Sequence, residues 1–377
     1  MRKASLYLSL FFIFFSSCQL KKQNNPTSTV IPADSIITHI NDTITLLFVG
    51  DVMQHKAQLE AAQTKKGFDY SSYYQYVKKE IQSSDISTCN LETPIGAPPY
   101  AGYPMFSAPS EFAQEIKSTG FNLILTANNH CVDRHAKGLR RTIEVLDSLD
   151  LKHLGTYINK DEQEKNHPYY ISIKNKKIAF LNYTYGTNGI GIPNPFAVNL
   201  IDTIQIKQDL EKAKINQSNA IIVCIHWGEE YITSPNKQQK KLANWMIKNG
   251  ADHIIGAHPH VIQPIKIYKD SINQKQHIAA YSLGNFISNM SQIDTDGGMI
   301  LKLKLFGNQK QMDSEVSYSL VWTGRPSITG EKNYILFPIS HEKDSLNSFS
   351  YNKLSIFKQR AQKVMQANSP QVKYYDF

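Results

Sequence analysis

Ala251-Asp252-His253-Ile254-Ile255-Gly256-Ala257-His258-Pro259-His260 is the stretch on which the fold turns. Residues 252–255, in a stretch that begins at Ala251, read as a short buried strand closed by Gly256. Two imidazoles follow, one on each side of a proline. In extended chain, side chains two apart lie on the same face, so His258 and His260 can aim at one point. That is one way to hold a metal ion. A surface loop with two solvated histidines is the plainer alternative, and the rest of the chain has to choose between them.

Working outward, the same arrangement recurs. The apolar run 44–49 ends at Gly50-Asp51. The run 85–91 ends in Asn90-Leu91-Glu92, the run 121–126 leads into Asn129-His130, and the run 220–225 ends at His226. Singly, each residue has another explanation: Asp51 as the cap of a following helix, the asparagines as turn formers. Together, five apolar strands finish in a group that can bind a metal. Ligands of open α/β sheets collect beyond the carboxyl ends of the strands. A mixture of carboxylate, imidazole and amide oxygen suits Zn²⁺, Mn²⁺ or Fe, as one ion or two.

Between the strands, helical periodicity or composition marks residues 54–64, 71–83, 110–118, 137–149, 204–216 and 236–248. Residues 94–104 and 184–199 read as loops, the second long enough to carry function. Residues 262–268, 277–283, 299–306 and 316–323 read as strands of a second sheet, and 353–365 as a terminal helix. The chain is one α/β body with a β-rich C-terminal half.

The chain has 377 residues, 41% hydrophobic and 19% charged, which describes a globular body with room for a large core. The N-terminus differs. Arg2 and Lys3 precede an apolar run from Leu6 to Phe15, then Ser16-Ser17-Cys18. This is the layout of a bacterial export signal, too short to span a membrane comfortably. Residues 1–17 are expected to be the signal, and Cys18 the lipidated first residue of the mature protein. The polar stretch 18–42 reads as a tether. An ordinary cleaved signal or an uncleaved anchor is the alternative. The other cysteines, Cys89, Cys131 and Cys224, have no CxxC spacing and argue against a disulfide framework. A net charge of +9 suits an anionic ligand or membrane surface, or simply a solvated basic surface. No dense basic block stands out beyond short pieces such as Lys237–Lys241, so nucleic acid is not an expected partner.

The segments FVGDVMQH, CNLETPIG, LTANNHCVDRHAKG, CIHWGEEY, GAHPHV and YSLGNFIS, in this order, resemble the CapA/PgsA-type poly-γ-glutamate capsule biosynthesis family. That family is similar in fold to the calcineurin-like metallophosphoesterases. The resemblance covers roughly residues 43–290. It implies a four-layer α/β/β/α sandwich, two mixed sheets face to face with helices outside. It also implies roles. Asp51, Glu92, Asn129, His226, His258 and His260 would hold one or two divalent ions, and His130 would move a proton. The first motif of the phosphoesterases is Asp-x-His, and here Met53 stands at its third position; His55, two residues on, either substitutes or packs. The bridging aspartate of the second motif has no clear counterpart, and Glu92, with Asn90 beside it, is the candidate.

Further candidates are Glu229 or Glu230, either orienting an imidazole or solvated, and Asn285 at another strand end. Arg134 would bind an anion or form a surface ion pair, and Cys131 beside His130 packs. Residues 43–345 are expected to form the metallophosphoesterase-like domain and 346–377 a helical tail. Three functional readings follow. The leading one is a lipid-anchored, metal-dependent envelope protein, periplasmic or surface-exposed. It would act on an anionic polymer or phosphate-bearing substrate in capsule poly-γ-glutamate synthesis or export, alongside membrane synthase partners. The others are a phosphoesterase unconnected with any capsule and a non-enzymatic polyanion-binding scaffold.

Overall fold

The structure, a computed structural model, describes residues 43–269, 275–308, 312–341 and 345–377. The export signal, Cys18 and the tether lie outside these residues. The described chain is organised around two mixed β-sheets.

In the first sheet the order is Ile335–Pro338, Met312–Gly324, Gly297–Gly307, Ile44–Val52, Ile86–Leu91, Leu123–Leu125 and Lys152–Leu154. Asn285–Ile287 pairs in parallel with Ile44–Val52, and Lys373–Tyr374 with Met312–Gly324. The second sheet runs Ile265–Lys269, Gln276–Ala280, His253–Ala257, Ala220–His226, Lys176–Thr184 and Tyr169–Ile173. The first sheet is antiparallel on one side of Ile44–Val52 and parallel on the other out to its edge, and the second has a parallel centre with antiparallel flanks.

Strand periodicity builds the layers. Leu46 and Phe48 face inward and meet Ile178, Phe180, Ile222 and Cys224 of the other sheet in one core. Their neighbours Leu47 and Val49 face outward and pack with Tyr73, Phe112, Ile116 and Leu146 under the first helical layer. On the far side, Ala179, Leu181, Ile221 and Val223 pack with Ile206, Leu210, Ala243 and Met246 of a second. The strands are apolar at every position because both of their faces are covered. The result is the helix–sheet–sheet–helix sandwich that the resemblance implies.

Three sequence expectations need correction. The strands at 262–268, 277–283, 299–306 and 316–323 do not form a sheet of their own. Gly297–Gly307 covers the open edge of Ile44–Val52, pairing Ile44 with Leu305, and Met312–Gly324 follows it. Gln276–Ala280 and Ile265–Lys269 instead close the edge of His253–Ala257. Each central strand has an edge that must be paired, and composition does not say which strand takes it. Secondly, 71–83 is not one helix: only Lys78–Gln82 is helical. Tyr73 and Tyr74 are both buried in the outer core without a helix, and tyrosine is a modest helix former. Thirdly, the terminal helix is longer, Ser348–Asn368, capped by the Asn347 side chain on the Ser350 N–H. Its Leu354, Phe357, Ala361 and Met365 enter the inter-sheet core.

Candidate metal centre

The carboxyl ends of Ile44–Val52, Ile86–Leu91 and Leu123–Leu125 from one sheet lie beside those of Ala220–His226 and His253–Ala257 from the other. The side chains at these ends meet in the crevice between the sheets. Asp51 and Glu92 are fully buried. Gly50 makes room for the first of them: a Cβ there would lie 1.8 Å from the Gly284 carbonyl oxygen. That close approach lets the Asp51 N–H donate to the same oxygen at 3.0 Å.

His258 and His260 reach the crevice, but not by the alternation of extended chain. The strand stops at Ala257, and the two histidines have φ of +100° and +59°. Left-handed backbone is costly for residues with a Cβ and marks sites where the surroundings enforce it. The turn brings the ring centroids within 6.0 Å of each other.

Asp51 Oδ1 accepts from Asn90 Nδ2 at 2.8 Å, and its Oδ2 lies 3.2 Å from His260 Nδ1. His226 Nε2 is 2.9 Å from Asn129 Oδ1 and 3.4 Å from Glu92 Oε1; its Nδ1 takes a contact from Asn90 Nδ2 at 3.2 Å. His260 Nε2 lies 3.8 Å from Glu92 Oε1, and Asn285 Oδ1 holds its Nδ1 at 3.0 Å. Three sets of ligand atoms each fall within 4.8 Å of one another: Glu92 with His226 and His258, Asp51 with Glu92 and His260, and Glu230 with His258 and His260. Glu92 belongs to the first two.

The electrostatics point the same way. Neither Glu92 oxygen has a hydrogen bond, and neither does His258 Nδ1, although all three are buried. The Glu92 contacts to His226 and His260 are close in distance but lack hydrogen-bond geometry. A native protein rarely leaves such atoms unsatisfied without a reason such as an ion. Burial, and then the neighbouring Asp51, push the Glu92 carboxyl well above its ordinary range. Burial, and then His260, hold His258 down at about 3; burial and the surrounding imidazoles hold His226 well below the usual value. Burial acts the same way on His260, but the Asp51 carboxylate outweighs it and the net direction is up. The buried imidazoles of His226 and His258, held neutral, beside the Glu92 carboxyl form a donor set that fits a divalent cation.

His130 stands at the rim of this cluster. Its Nδ1 is 2.8 Å from Asp133 Oδ2, which also accepts from the Phe106 N–H at 2.8 Å. Asn188, from the long loop at 184–199, contacts both Asn129 and His130. Beyond lies a cleft of about 350 Å³ lined by His55, Tyr103, His130, Glu230, Tyr231 and His260, among others.

The remaining candidates separate. Asn90 and Asn285 orient Asp51 and His260. His55 stands outside the three ligand sets; it lines the cleft, and burial lowers it to about 4. Glu229 is exposed and accepts from Asn236 Nδ2 at 2.9 Å, so Glu230 is the member of that pair at the site. Arg134 donates to the Met105 and Phe106 carbonyls and ties down that loop. Cys131 packs with Val132, Leu139 and Phe196, and burial pushes its thiol up to about 12. Sequence reasoning missed Asn128, which is buried and donates to the Leu91 carbonyl, and Tyr185, whose ring lies 4.6 Å from that of His258. Tyr185 immediately follows a strand, Lys176–Thr184, so the strand-end rule would have found it.

A two-sheet sandwich with a buried imidazole–carboxylate crevice at its strand ends is therefore the class of protein defined here. The chain belongs to the bacterial capsule synthesis protein family PGA_cap, whose family model matches residues 45–290. It is 29% identical over 279 residues to the capsule biosynthesis protein CapA of Bacillus anthracis, an alignment covering 71% of this chain and 65% of that protein, just under two thirds of its length. It is 28% identical over 319 residues to the PGA biosynthesis protein CapA of Bacillus subtilis (strain 168), covering 82% of this chain and 77% of the relative. Among solved structures it is similar to the calcineurin-like phosphoesterase YfkN from Bacillus subtilis, with 12% identity and a TM-score of 0.38 over 86% of this chain and 98% of that one.

Proposed function

We infer that this protein is a metal-dependent enzyme of the cell envelope that acts on an anionic polymer or phosphate-bearing substrate in capsule poly-γ-glutamate synthesis or export. The observation that carries this reading is Glu92: fully buried, both oxygens without hydrogen bonds, and shared by two sets of ligand atoms. The names of the family and of its Bacillus relatives support the capsule assignment.

Asp51, Glu92, Asn129, His226, His258 and His260 would hold the ion or ions, with Asn90 and Asn285 fixing the orientation of Asp51 and His260. A divalent ion there would supply Lewis-acid polarisation of a phosphoryl or carbonyl oxygen. Asp133 Oδ2 accepts a hydrogen bond from His130 Nδ1 and fixes the ring, which leaves Nε2 to exchange a proton with substrate. The Phe106 ring, edge-on to His130 with centroids 4.7 Å apart, shields that group on one side. The protein is anchored through Cys18, with synthase partners in the membrane. Fatty-acid labelling that persists in Cys18→Ser would overturn the anchor. No helix of the described residues is long and apolar enough to cross a membrane.

The test is turnover of small phosphodiesters and of poly-γ-glutamate by metal-loaded protein and by His130→Ala. His130→Ala is expected to keep its metal and to lose about 10²–10⁴-fold in rate, the usual worth of a general acid or base. Binding of poly-γ-glutamate without turnover, indifferent to His130→Ala, would make the protein a scaffold instead.

A further inference from the structure

The cleft beside the metal centre is poorly furnished for a polyanion. None of its lining residues is Lys or Arg, and Glu230 adds a negative charge at its lip. If the ligand is a long acidic polymer, the segments that lie beyond the metal centre need an electrostatic footing elsewhere. One face of the molecule supplies it.

The helix Lys237–Lys248 carries Lys237, Lys240, Lys241 and Lys248 and no acidic residue. All four lysines are exposed, and none is within 4.0 Å of a carboxylate among the described residues. The opposite face, with Gln239, Ala243 and Met246, is buried against the second sheet. Lys237, Lys241 and Lys248 follow helical spacing along one side, with Lys240 next to them, over about 16 Å. Three of the four fall in the first five positions, where the helix dipole is positive and local stability favours acids. A local rule broken without a local gain points to a use.

The helix is also tied to the catalytic rim. Its cap, Asn236, holds Glu229, and the next two residues, Glu230 and Tyr231, line the cleft.

We propose that the exposed face of Lys237–Lys248 is a docking track for a chain of carboxylates, an acidic polypeptide polymer that it holds while one segment reaches the cleft. This rests on the reading of the crevice as a catalytic site for an anionic substrate. The track is long enough for about five residues of extended α-linked chain, and for fewer of a γ-linked one.

The experiment is fluorescence anisotropy of labelled poly-γ-glutamate with the protein at low and physiological salt. It uses the variant Lys237→Gln/Lys240→Gln/Lys241→Gln/Lys248→Gln and a charge-matched control, Lys65→Gln/Lys66→Gln/Lys160→Gln/Lys165→Gln. The helix variant is expected to lose about thirtyfold in affinity at low salt, the combined effect of four exposed charge pairs. Its metal content should be unchanged, and the control should stay close to wild type. Equal losses in both variants, or none in the helix variant, would overturn the track. So would a helix variant that keeps polymer affinity but loses binding to phosphatidylglycerol vesicles, since the face would then dock on membrane. A wild type that binds polymer through this face yet holds no metal would leave the track standing and remove the catalytic reading. Loss of metal in His258→Ala/His260→Ala with polymer binding intact is expected if both hold.

Discussion

Two buried polar clusters in this molecule look alike in composition and differ in one respect. In the first, His167 meets Asn199 Nδ2 at 3.1 Å and Tyr157 Oη at 3.3 Å through Nδ1, and Tyr183 Oη at 3.1 Å and Asp209 Oδ2 at 3.3 Å through Nε2. Tyr183 donates to Asp209 Oδ2 at 2.7 Å and Gln205 to Oδ1 at 3.0 Å, so each ring nitrogen and each carboxylate oxygen has a partner. In the second, at the strand ends, both oxygens of Glu92 and Nδ1 of His258 have none. A satisfied network of this kind holds structure together; an unsatisfied one whose ligand atoms also converge, as they do around Glu92, fits a ligand. Histidine and carboxylate content alone does not separate the two.

The largest expected effect lies in the satisfied cluster. Asp209→Ala leaves His167 and Tyr183 facing a gap, and should lower unfolding free energy by about 3–5 kcal/mol in denaturant titration. Metal content per folded molecule should not change. Loss of metal in Asp209→Ala would blur the distinction between the clusters.

Removing the ion tests the other side. Chelation should cost about 3 kcal/mol of stability relative to protein held at a hundredfold the ion's Kd, read as a fall in Tm. His258→Ala/His260→Ala should show no such response.

Glu92→Gln sharpens the comparison further, because its sign inverts. Without metal, the wild-type carboxyl has a folded pKa raised above its unfolded value. The folded state therefore binds more protons above pH 4.5, and stability falls as pH rises through that window. Metal-free Glu92→Gln lacks this loss and should be the more stable protein near pH 8, by about 1–3 kcal/mol. It should also fail to hold metal. A metal-free Glu92→Gln less stable than wild type at pH 8 would mean that Glu92 is structural.

The fold was legible where burial on both faces wrote continuous apolar runs, as in Ile44–Val52 and Ala220–His226. The polar residues that end those runs marked the crevice. What stayed hidden depended on three-dimensional partners. Nothing local says that Gly297–Gly307 pairs with the first strand rather than with Gln276–Ala280. The positive φ of His258 and His260 is imposed by the surrounding crevice, so extended-chain alternation reached the right convergence by the wrong geometry. Glu229 and Glu230 are indistinguishable in sequence, and only the hydrogen bond from Asn236 separates them. His167 and Asp209, far apart in sequence and lacking any motif, gave no sign of their pairing.

The smallest effect concerns His55, at the edge of the crevice. Burial lowers its folded pKa to about 4, so the unfolded chain binds the extra proton below about pH 6.5. Wild-type stability should therefore fall relative to His55→Gln by about 1 kcal/mol between pH 6.5 and 5.5, with no change in the difference above pH 7. Metal stoichiometry should be the same in both, since His55 stands outside the ligand sets. A variant that loses an ion would restore His55 to the ligand role that the motif spacing left open.

Elemental analysis of the purified protein, after exposure to Zn²⁺, Mn²⁺ or Fe²⁺ and removal of free ion, tests the central claim most directly when set beside His258→Ala/His260→Ala. The crevice should retain one or two ions per wild-type chain and none in the variant. A wild type that retains no ion, or a folded variant that retains as much, would contradict it.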